Sequence, residues 1–391
     1  MQTLHSDIAI VGAGLSGLAT ALALSQTSLR IMLLDAGSIL TTGFDDTRAS
    51  FLAASSLRML DRLGVEASVQ PVTDILNAEA LPGEPIRPGS LHFEGDLGAV
   101  VENFQLRYSL LSQLGHGTVD IRPDTPVTAL ATGPGYATLI TPGGPLTARL
   151  VIAADGRKSP LRRLSGIGTR RHDYEQSALT FTLAHTQPHN GVAYQIMFPG
   201  GPLALLPLPP STDHPHRSSI VWSDSPKAIS AACALPTDAL LQELHTRIGN
   251  HLGDLSLASP LASYPLTQIL AHTVTTDRLA LVGDSAHLIH PLAGQGLNLG
   301  LRDAAAIADI VGEAHSLGRD IGGPALADYA RWRAADINGM ALATDALSHA
   351  YRAPLGPLRR LATSIIDSSP LKAFLVSEAS GERPNLPALM A

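Results

Sequence analysis

The stretch Ile8-Ala-Ile-Val-Gly12-Ala13-Gly14-Leu15-Ser16-Gly17 decides the fold. A short apolar strand runs into three glycines at G-x-G-x-x-G spacing, and Leu18 to about Ser25 continues as an apolar helical run. Arg30-Ile-Met-Leu-Leu-Asp35 reads as a second buried strand, ending in an acid about 20 residues beyond the first glycine. Strand, glycine turn, helix and strand make the start of a parallel βαβ unit. In such a unit Gly12 permits the tight turn, Gly14 lets the backbone approach a pyrophosphate, and Gly17 allows helix and strand to pack closely. The helix N-terminus offers free N–H groups and positive dipole to the phosphates, and Asp35 is placed to accept from ribose hydroxyls. An ordinary glycine-rich turn is the alternative reading, and the strand, helix and acid in their proper places argue against it.

Around this unit the composition sets bounds. A chain of 391 residues exceeds one core of ordinary domain size, so at least two lobes are expected. With 45% hydrophobic and 16% charged residues, wholesale disorder is excluded. The 35 glycines and 28 prolines follow no G-X-Y period, which excludes collagen and long coiled coils and predicts many turns. A net charge of −7 carries no nucleic-acid footprint. Cys233 stands alone, which forbids internal disulfides and fits a reducing compartment. The N-terminus lacks a basic n-region, and no run approaches the ~20 apolar residues of a membrane span. The expectation is a cytoplasmic protein, soluble or attached peripherally at the inner membrane.

Further along, Thr47 to Leu63 has apolar residues at helical spacing and stops at Gly64, which predicts a helix with Arg48 in its first turn. A cation there opposes the helix dipole unless it has an anionic partner. Residues 70–98 read as strand, Asn103 to Leu114 as helix with Asn103 as a plausible N-cap, and residues 118–153 as a meander of short strands. A β-rich second lobe with one helix, near Thr237 to Ile248, spans about 171–264. Arg278-Leu-Ala-Leu-Val282 is another buried strand, and a helix follows from about Gly296.

Two further strands deliver an acid into a glycine turn. The first is Leu150-Val-Ile-Ala-Ala-Asp155-Gly156, followed by Arg157, Lys158, Arg162 and Arg163, a basic cluster suited to a phosphate-bearing ligand or to a solvated face. The second is Gly283-Asp284, followed by His287, His290, Pro291, Gly294, Gln295, Gly296, Leu297 and Asn298, where the glycines free the backbone before a helix whose amides stabilise negative charge. A metal site from Asp284, His287 and His290 is disfavoured, because that spacing requires helix through Pro291. No metal is expected. Only one dinucleotide fingerprint is present, so no separate nucleotide domain serves NAD(P)H. A serine nucleophile elbow around Ser16 fails because Leu18 replaces the second glycine.

Together the three motifs resemble the FAD-dependent class A aromatic hydroxylases of the p-hydroxybenzoate hydroxylase fold. His290-Pro-Leu-Ala-Gly-Gln-Gly-Leu-Asn-Leu-Gly300 with Asp303 is similar to the signature of the ubiquinone-biosynthesis hydroxylases, as are Asp46-Thr-Arg48-Ala-Ser, Val101-Glu-Asn103, Ser219-Ile-Val-Trp222 and Pro370-Leu-Lys-Ala-Phe374. Residues 70–110 look most like the bacterial 2-polyprenyl-6-methoxyphenol hydroxylases. The resemblance implies an α/β fold: a Rossmann-like FAD-binding domain (1–69, 97–170 and 265–345), an interleaved β-rich substrate domain (70–96 and 171–264) and a C-terminal helical segment (346–391). It implies FAD held by Gly12, Ala13, Gly14, Leu15, Ser16, Gly17, Asp35, Arg48, Asn103, Asp155, Gly156, Gly283 and Asp284, with Pro291 and residues Gly294 to Asn298 facing the isoalloxazine.

The implied reaction is monooxygenation of a polyprenylated phenol. NADPH or NADH reduces FAD as a transient visitor, and O2 adds to give a C4a-hydroperoxide that the ring attacks. Tyr194, Tyr264 and His290 are candidates for a general base, each with packing as the alternative. Ile196-Met-Phe198 and Leu203-Ala-Leu-Leu206 are candidates for an apolar channel wall, with plain core as the alternative. The amphipathic segment Leu358 to Ile366 is a candidate membrane-surface contact, with core packing favoured, and association with the membrane or with a ubiquinone-synthesis complex is the partner expectation beside substrate and O2. A hydroxylase of another aromatic substrate, a prenyl reductase on the same fold and a non-enzymatic FAD or prenyl-lipid carrier are the competing readings.

Overall fold

The computed structural model describes residues 4–39, 46–79, 87–290, 294–352, 377, 381 and 385–391. Two sheets organise them. In the first, the strand Leu4–Val11 is central. It pairs in parallel with Ile31–Leu34 on one side and with Gly144–Ala153 on the other. Asp120–Arg122 and Leu279–Leu281 extend the sheet in parallel on either flank. The strands read as continuous apolar runs because both faces are covered, as parallel sheets require. The registers matter for function. Val11 lies beside Ala153, and Ala153 beside Leu281. Three segments remote in sequence therefore end at one level, and the loops that begin at Gly12, Ala154 and Val282 meet.

Helices Leu15–Leu24, Asn103–Leu114 and Gly296–Ser316 pack against one another beside this sheet. The last of them also packs on Ala325–Arg352. The second sheet is ten-stranded and mostly antiparallel, built around the long strand Thr169–His185. Helices Pro226–Cys233 and Thr237–Ile248 cover its outer face, where Phe181, Leu203 and Leu205 pack with Ile229, Leu240 and Leu244. The opposite face looks toward the first sheet. This second sheet reaches beyond 70–96 and 171–264, taking in Ala49–Ala53 and the strand Arg87–Glu102. No helix among the described residues is long and apolar enough to cross a membrane. The segments around Leu358 to Ile366 and Pro370 to Phe374 lie outside the described residues.

Two expectations are corrected. Thr47 to Leu63 is not one helix: Ala49–Ala53 is a strand, and the helix spans Ala54–Arg62. Pairing of Ala49 with Glu102 through to Ala53 with Gly98 overrides the helical spacing of the leucines. A Cβ on Gly98 would stand 2.0 Å from the Leu52 carbonyl oxygen, so the approach of these strands requires glycine. The β-rich lobe also has a second helix, Pro226–Cys233, whose start was legible. Ser225 caps it by accepting from the Ala228 amide at 3.3 Å, and Pro226 follows.

Histidines gather where strands of the second sheet begin and end. The ring of His185 stacks on His216 at 6.2 Å and lies 6.0 Å from His189. Nδ1 of His189 accepts from the Gly191 amide at 3.1 Å, and its Nε2 faces the Leu208 carbonyl at 3.1 Å, a pattern only the neutral ring satisfies. Burial, with help from the neighbouring histidines, lowers the pKa of both His185 and His189. Because the folded values lie below the unfolded one, the unfolded state binds more protons in the window beneath about pH 6.5. Stability is accordingly expected to hold above about pH 6.5 and to fall as the pH drops below it. Gln at position 189 keeps both an acceptor and a donor, so His189→Gln should flatten that slope in urea midpoints measured from pH 7 to 5. Identical slopes in the two proteins would reject a role for this histidine.

Candidate functional site

The three loop starts open into a cavity of about 910 Å³ between the two sheets, at the upper end of the usual range for small-molecule sites. The glycines of the fingerprint divide by role. A Cβ on Gly12 would lie 2.3 Å from the Ala154 carbonyl oxygen, and one on Gly17 would lie 1.9 Å from the Gly12 carbonyl oxygen. Both serve packing. A Cβ on Gly14 would meet nothing within 4 Å, because Gly14 faces the cavity together with Ala13, Leu15 and Ser16. Helix Leu15–Leu24 has no side-chain cap and no acid in its first turn, so its leading amides remain available to an anion. Asp35 lines the cavity while accepting from the Ala13 amide at 2.6 Å and the Gly37 amide at 2.8 Å. A carboxylate has acceptor sites beyond these two.

Arg107 was missed by the sequence reading. It is 7% exposed, borders the cavity, donates to the carbonyls of Ala13 and Ile39, and has an enclosed Nε with no partner among the described residues. Burial lowers its pKa, and Asp35 opposes that shift. The signal was a lone cation within the apolar stripe formed by Leu106, Leu110 and Leu114.

The second motif contributes less than expected. Gly156 and Arg157 line the cavity, whereas Asp155 sits behind it and accepts from the Leu161 amide at 2.9 Å. Burial raises the Asp155 pKa. The basic cluster is not a phosphate clamp of four cations. Arg162 is buried and donates to the carbonyls of Ser285 at 2.6 Å and Arg157 at 2.9 Å, and Arg163 donates to the Lys158 carbonyl. Of the four, only Arg157 reaches the cavity among its described lining residues.

In the third motif, Gly283–Ser285 forms a 3₁₀ turn that presents Asp284 into the cavity. The carboxyl is open to the cavity, and the protein mass around the cavity raises its pKa by desolvation, opposed by His287, Arg48 and Arg157. Gly294, Gln295, Gly296 and Leu297 line the same cavity, and the Gln295 Oε1 is buried without a partner. Gly283 packs behind the wall against Ser16. Asn298 is a staple, not a lining residue. Its Oδ1 accepts from the Ala53 amide and the Ser56 hydroxyl, and its Nδ2 donates to the Phe51 carbonyl. Pro291 lies outside the described residues. Neither histidine of this motif is near a shared centre: His287 pairs through Nε2 with Asp303 at 2.6 Å, and His290 packs edge-on against Tyr174. Among the described residues no group of three or more His, Cys, Asp or Glu is arranged to hold a metal.

Arg48 lies in the extended segment before Ala49–Ala53, so the helix-dipole argument made for it does not apply. Its anionic partner is Asp46, met by a double hydrogen bond of 2.7 Å from Nε and 2.7 Å from Nη2. Asn103 is the first helical residue and not the cap. Its Nδ2 donates to Asp46 at 3.3 Å, and its Oδ1 accepts from the Ser50 hydroxyl at 2.7 Å. Arg48 and Asn103 both line the cavity.

The far wall is the inner face of the second sheet. Register places Thr180 beside Val221, Val221 beside Ala204, Ala204 beside Gln195 and Gln195 beside Asn77, a continuous row across five strands. All five line the cavity. An adjacent apolar row runs from Leu206 through Ala193 and Ile75 to Phe93. The expected channel wall is therefore half right in place and wrong in composition. Ile196, Phe198, Leu203 and Leu205 point into the core beneath the helices; of their neighbours Gln195, Ala204 and Leu206 line the cavity, and Met197 does not. Tyr264 lines it, His290 does not, and Tyr194 borders it by its backbone while its ring packs on the helix-covered face, 4.9 Å from His251.

An open cradle at Gly14 and uncapped helix amides, with Arg107 packed beneath Ala13, fit the diphosphate of a dinucleotide such as FAD. Comparison with known proteins agrees: the FAD binding domain family matches residues 5–316. The chain is 36% identical to ubiquinone hydroxylase UbiL of Rhodospirillum rubrum, over 96% of this chain and 90% of that protein. It is 33% identical to 3-demethoxyubiquinol 3-hydroxylase of Escherichia coli, over 92% and 93%. The chain belongs to the FAD-dependent hydroxylases of ubiquinone biosynthesis. As a member of this hydroxylase family it is a flavin monooxygenase. Pseudomonas aeruginosa PqsL in complex with 2-aminobenzoylacetate shares its fold, with a TM-score of 0.78 at 21% identity over 93% of this chain and 100% of that one. So does p-nitrophenol 4-monooxygenase PnpA of Pseudomonas putida, with a TM-score of 0.78 at 18% identity over 98% and 100%.

The two kinds of glycine predict opposite failures. Gly14→Val should abolish FAD retention and leave the melting temperature close to that of wild-type apoprotein, since the side chain enters only the cavity. Gly17→Ala should destabilise the fold by about 1–3 kcal/mol, by overpacking against the Gly12 carbonyl. Thermal melts and flavin absorbance of both purified variants check this, and a Gly14→Val protein that stays fully yellow contradicts the division.

Proposed function

We propose that this hydroxylase adds one oxygen atom from O2 to the ring of a polyprenylated phenol in ubiquinone synthesis, with NADPH or NADH as transient reductant. A 2-polyprenyl-6-methoxyphenol is the substrate proposed. One observation carries the reading: a single cavity joins a phosphate-suited end to an apolar sheet face, and the two meet around Asp284, Arg48 and Gly294 to Leu297. The names of the relatives, ubiquinone hydroxylases among them, support the substrate class. Residues Gly12 to Gly17, Asp35, Arg48, Asn103, Gly156 and Asp284 are proposed to hold FAD, with Asp155, Gly283 and Asn298 supporting them from behind. When bound, FAD supplies hydride acceptance and oxygen activation.

The chain's own residues do the rest. The amides at the start of helix Gly296–Ser316 face the cavity and stabilise negative charge that develops there. Burial raises the pKa of Tyr264, so its hydroxyl keeps its proton at neutral pH. It suits hydrogen-bond donation to a substrate oxygen and not the role of base. The apolar row from Leu206 to Phe93 takes the tail and excludes water from the ring.

The test is to supply NAD(P)H, oxygen-18 gas and a tailed phenol to the purified holoenzyme. The expected product gains the mass of one oxygen-18 atom, and NAD(P)H consumption rises with substrate. A product without added oxygen would instead support a reductase. Ala204→Phe narrows the middle of the sheet face, and we expect it to raise KM for the tailed phenol by roughly tenfold, equivalent to about 1.4 kcal/mol. The tailless phenol should be affected much less, and an equal effect on both would reject this placement of the tail.

A further inference from the structure

An acid at the rim of an anion site calls for a physical reason. Three acids line the cavity among its described residues: Asp35, Asp46 and Asp284. Asp35 is engaged by two backbone amides, and Asp284 stands at the junction with the sheet face. Asp46 has no backbone amide of the fingerprint to hold. It instead grips Arg48, taking one edge of the guanidinium through Nε and Nη2 at 2.7 Å each. That leaves Nη1, and the end-on edge it shares with Nη2, without a hydrogen bond among the described residues. Asp46 is itself anchored, by Asn103 Nδ2 at 3.3 Å, and Asn103 is anchored by Ser50 and by its own amide to the Arg48 carbonyl. Burial alone would raise the Asp46 pKa, and the hydrogen bonds from Arg48 more than reverse this, so the carboxyl stays ionised at neutral pH.

We propose that Asp46 is a positioning residue for cofactor binding: it clamps one edge of Arg48 so that the other edge is ordered in advance for the diphosphate of FAD. This rests on the reading of the cavity as the FAD site. Arg carries many rotamers, and fixing them beforehand strengthens binding by the ordering cost avoided on association. Simple charge counting predicts the reverse, since removing an acid from an anion site should strengthen anion binding. The half-exposed position of Arg48 weakens that Coulomb effect by solvent screening, which leaves the ordering effect dominant.

The experiment measures FAD dissociation constants by flavin fluorescence quenching on apoprotein made from the holoenzyme, for wild type, Asp46→Asn, Arg48→Ala and the double variant. Asp46→Asn should weaken FAD binding about 2- to 10-fold in the wild-type background and not at all in the Arg48→Ala background. Unchanged or tighter binding by Asp46→Asn overturns the proposal. Equal weakening in both backgrounds also overturns it, since the hydrogen bond from the Arg48 amide to Asp46 Oδ1 survives the alanine and would then be the cause. If Asp46→Asn does not fold, Asp46→Glu replaces it: a longer carboxylate displaces the clamp, so weaker binding supports the proposal and wild-type affinity refutes it. A wild-type apoprotein that does not take up FAD at all is a different failure, that of the cavity assignment.

Discussion

The fully buried carboxylate of Asp303 fixes how the parts of this site relate. It accepts from the Gly283 amide at 2.8 Å, from His287 Nε2 at 2.6 Å and from Arg333 Nε at 2.6 Å. An ion taken out of water costs several kcal/mol unless its partners are equally well placed. Here one oxygen serves the loop and the histidine while the other serves an arginine from the last described helix. Burial would raise the Asp303 pKa, and His287 and Arg333 pull it below the usual carboxylate range. The loop that presents Asp284 is thereby tied to helix Gly296–Ser316 and, through Arg333, to Ala325–Arg352. None of the three can shift without leaving a buried charge unpaired.

Local signals were legible and distant ones were not. The strand, glycine turn and helix at Ile8 to Gly17 read correctly because each step depends on neighbours a few residues away. Ala49 to Ala53 read as helix because the leucines from Leu52 to Leu63 keep helical spacing, while the force that makes a strand comes from Gly98 to Glu102. Asn298 read as a cofactor contact and is a clasp on Ala53, Ser56 and Phe51, a role set by a strand some 245 residues earlier in the chain. Arg162 read as one of four phosphate-binding cations and is a buried clip to Ser285. In each case residue type was informative and the direction of the side chain was not.

The sheet face shows the same limit in a form that can be stated by geometry. A run such as Leu203-Ala-Leu-Leu206 is apolar throughout, so periodicity cannot say which residues face the core. The strand puts Leu203 and Leu205 under the helices and leaves Ala204 and Leu206 to the cavity. Small side chains on the cavity side, Ala193, Ala204 and Ala262 among them, give the face its depth. That resolves a tension in the composition. With only 4% aromatic residues, the protein forms the proposed substrate pocket by recessing an alanine-rich sheet, with Phe93 and Tyr264 as aromatic lining.

Charge is handled with similar economy. Three arginines and three acids line the described cavity, so no net positive field attracts a diphosphate. Attraction must come from direction instead. Asp35 points its oxygens at backbone amides, Asp46 at one edge of Arg48, and the Asp284 pKa is raised toward the neutral acid. The donors left facing the cavity include the helix amides after Gly14, those at the start of helix Gly296–Ser316, Arg157 and the free edge of Arg48. A site built this way selects its ligand by the geometry of its donors more than by long-range steering, which suits a cofactor that binds once and stays.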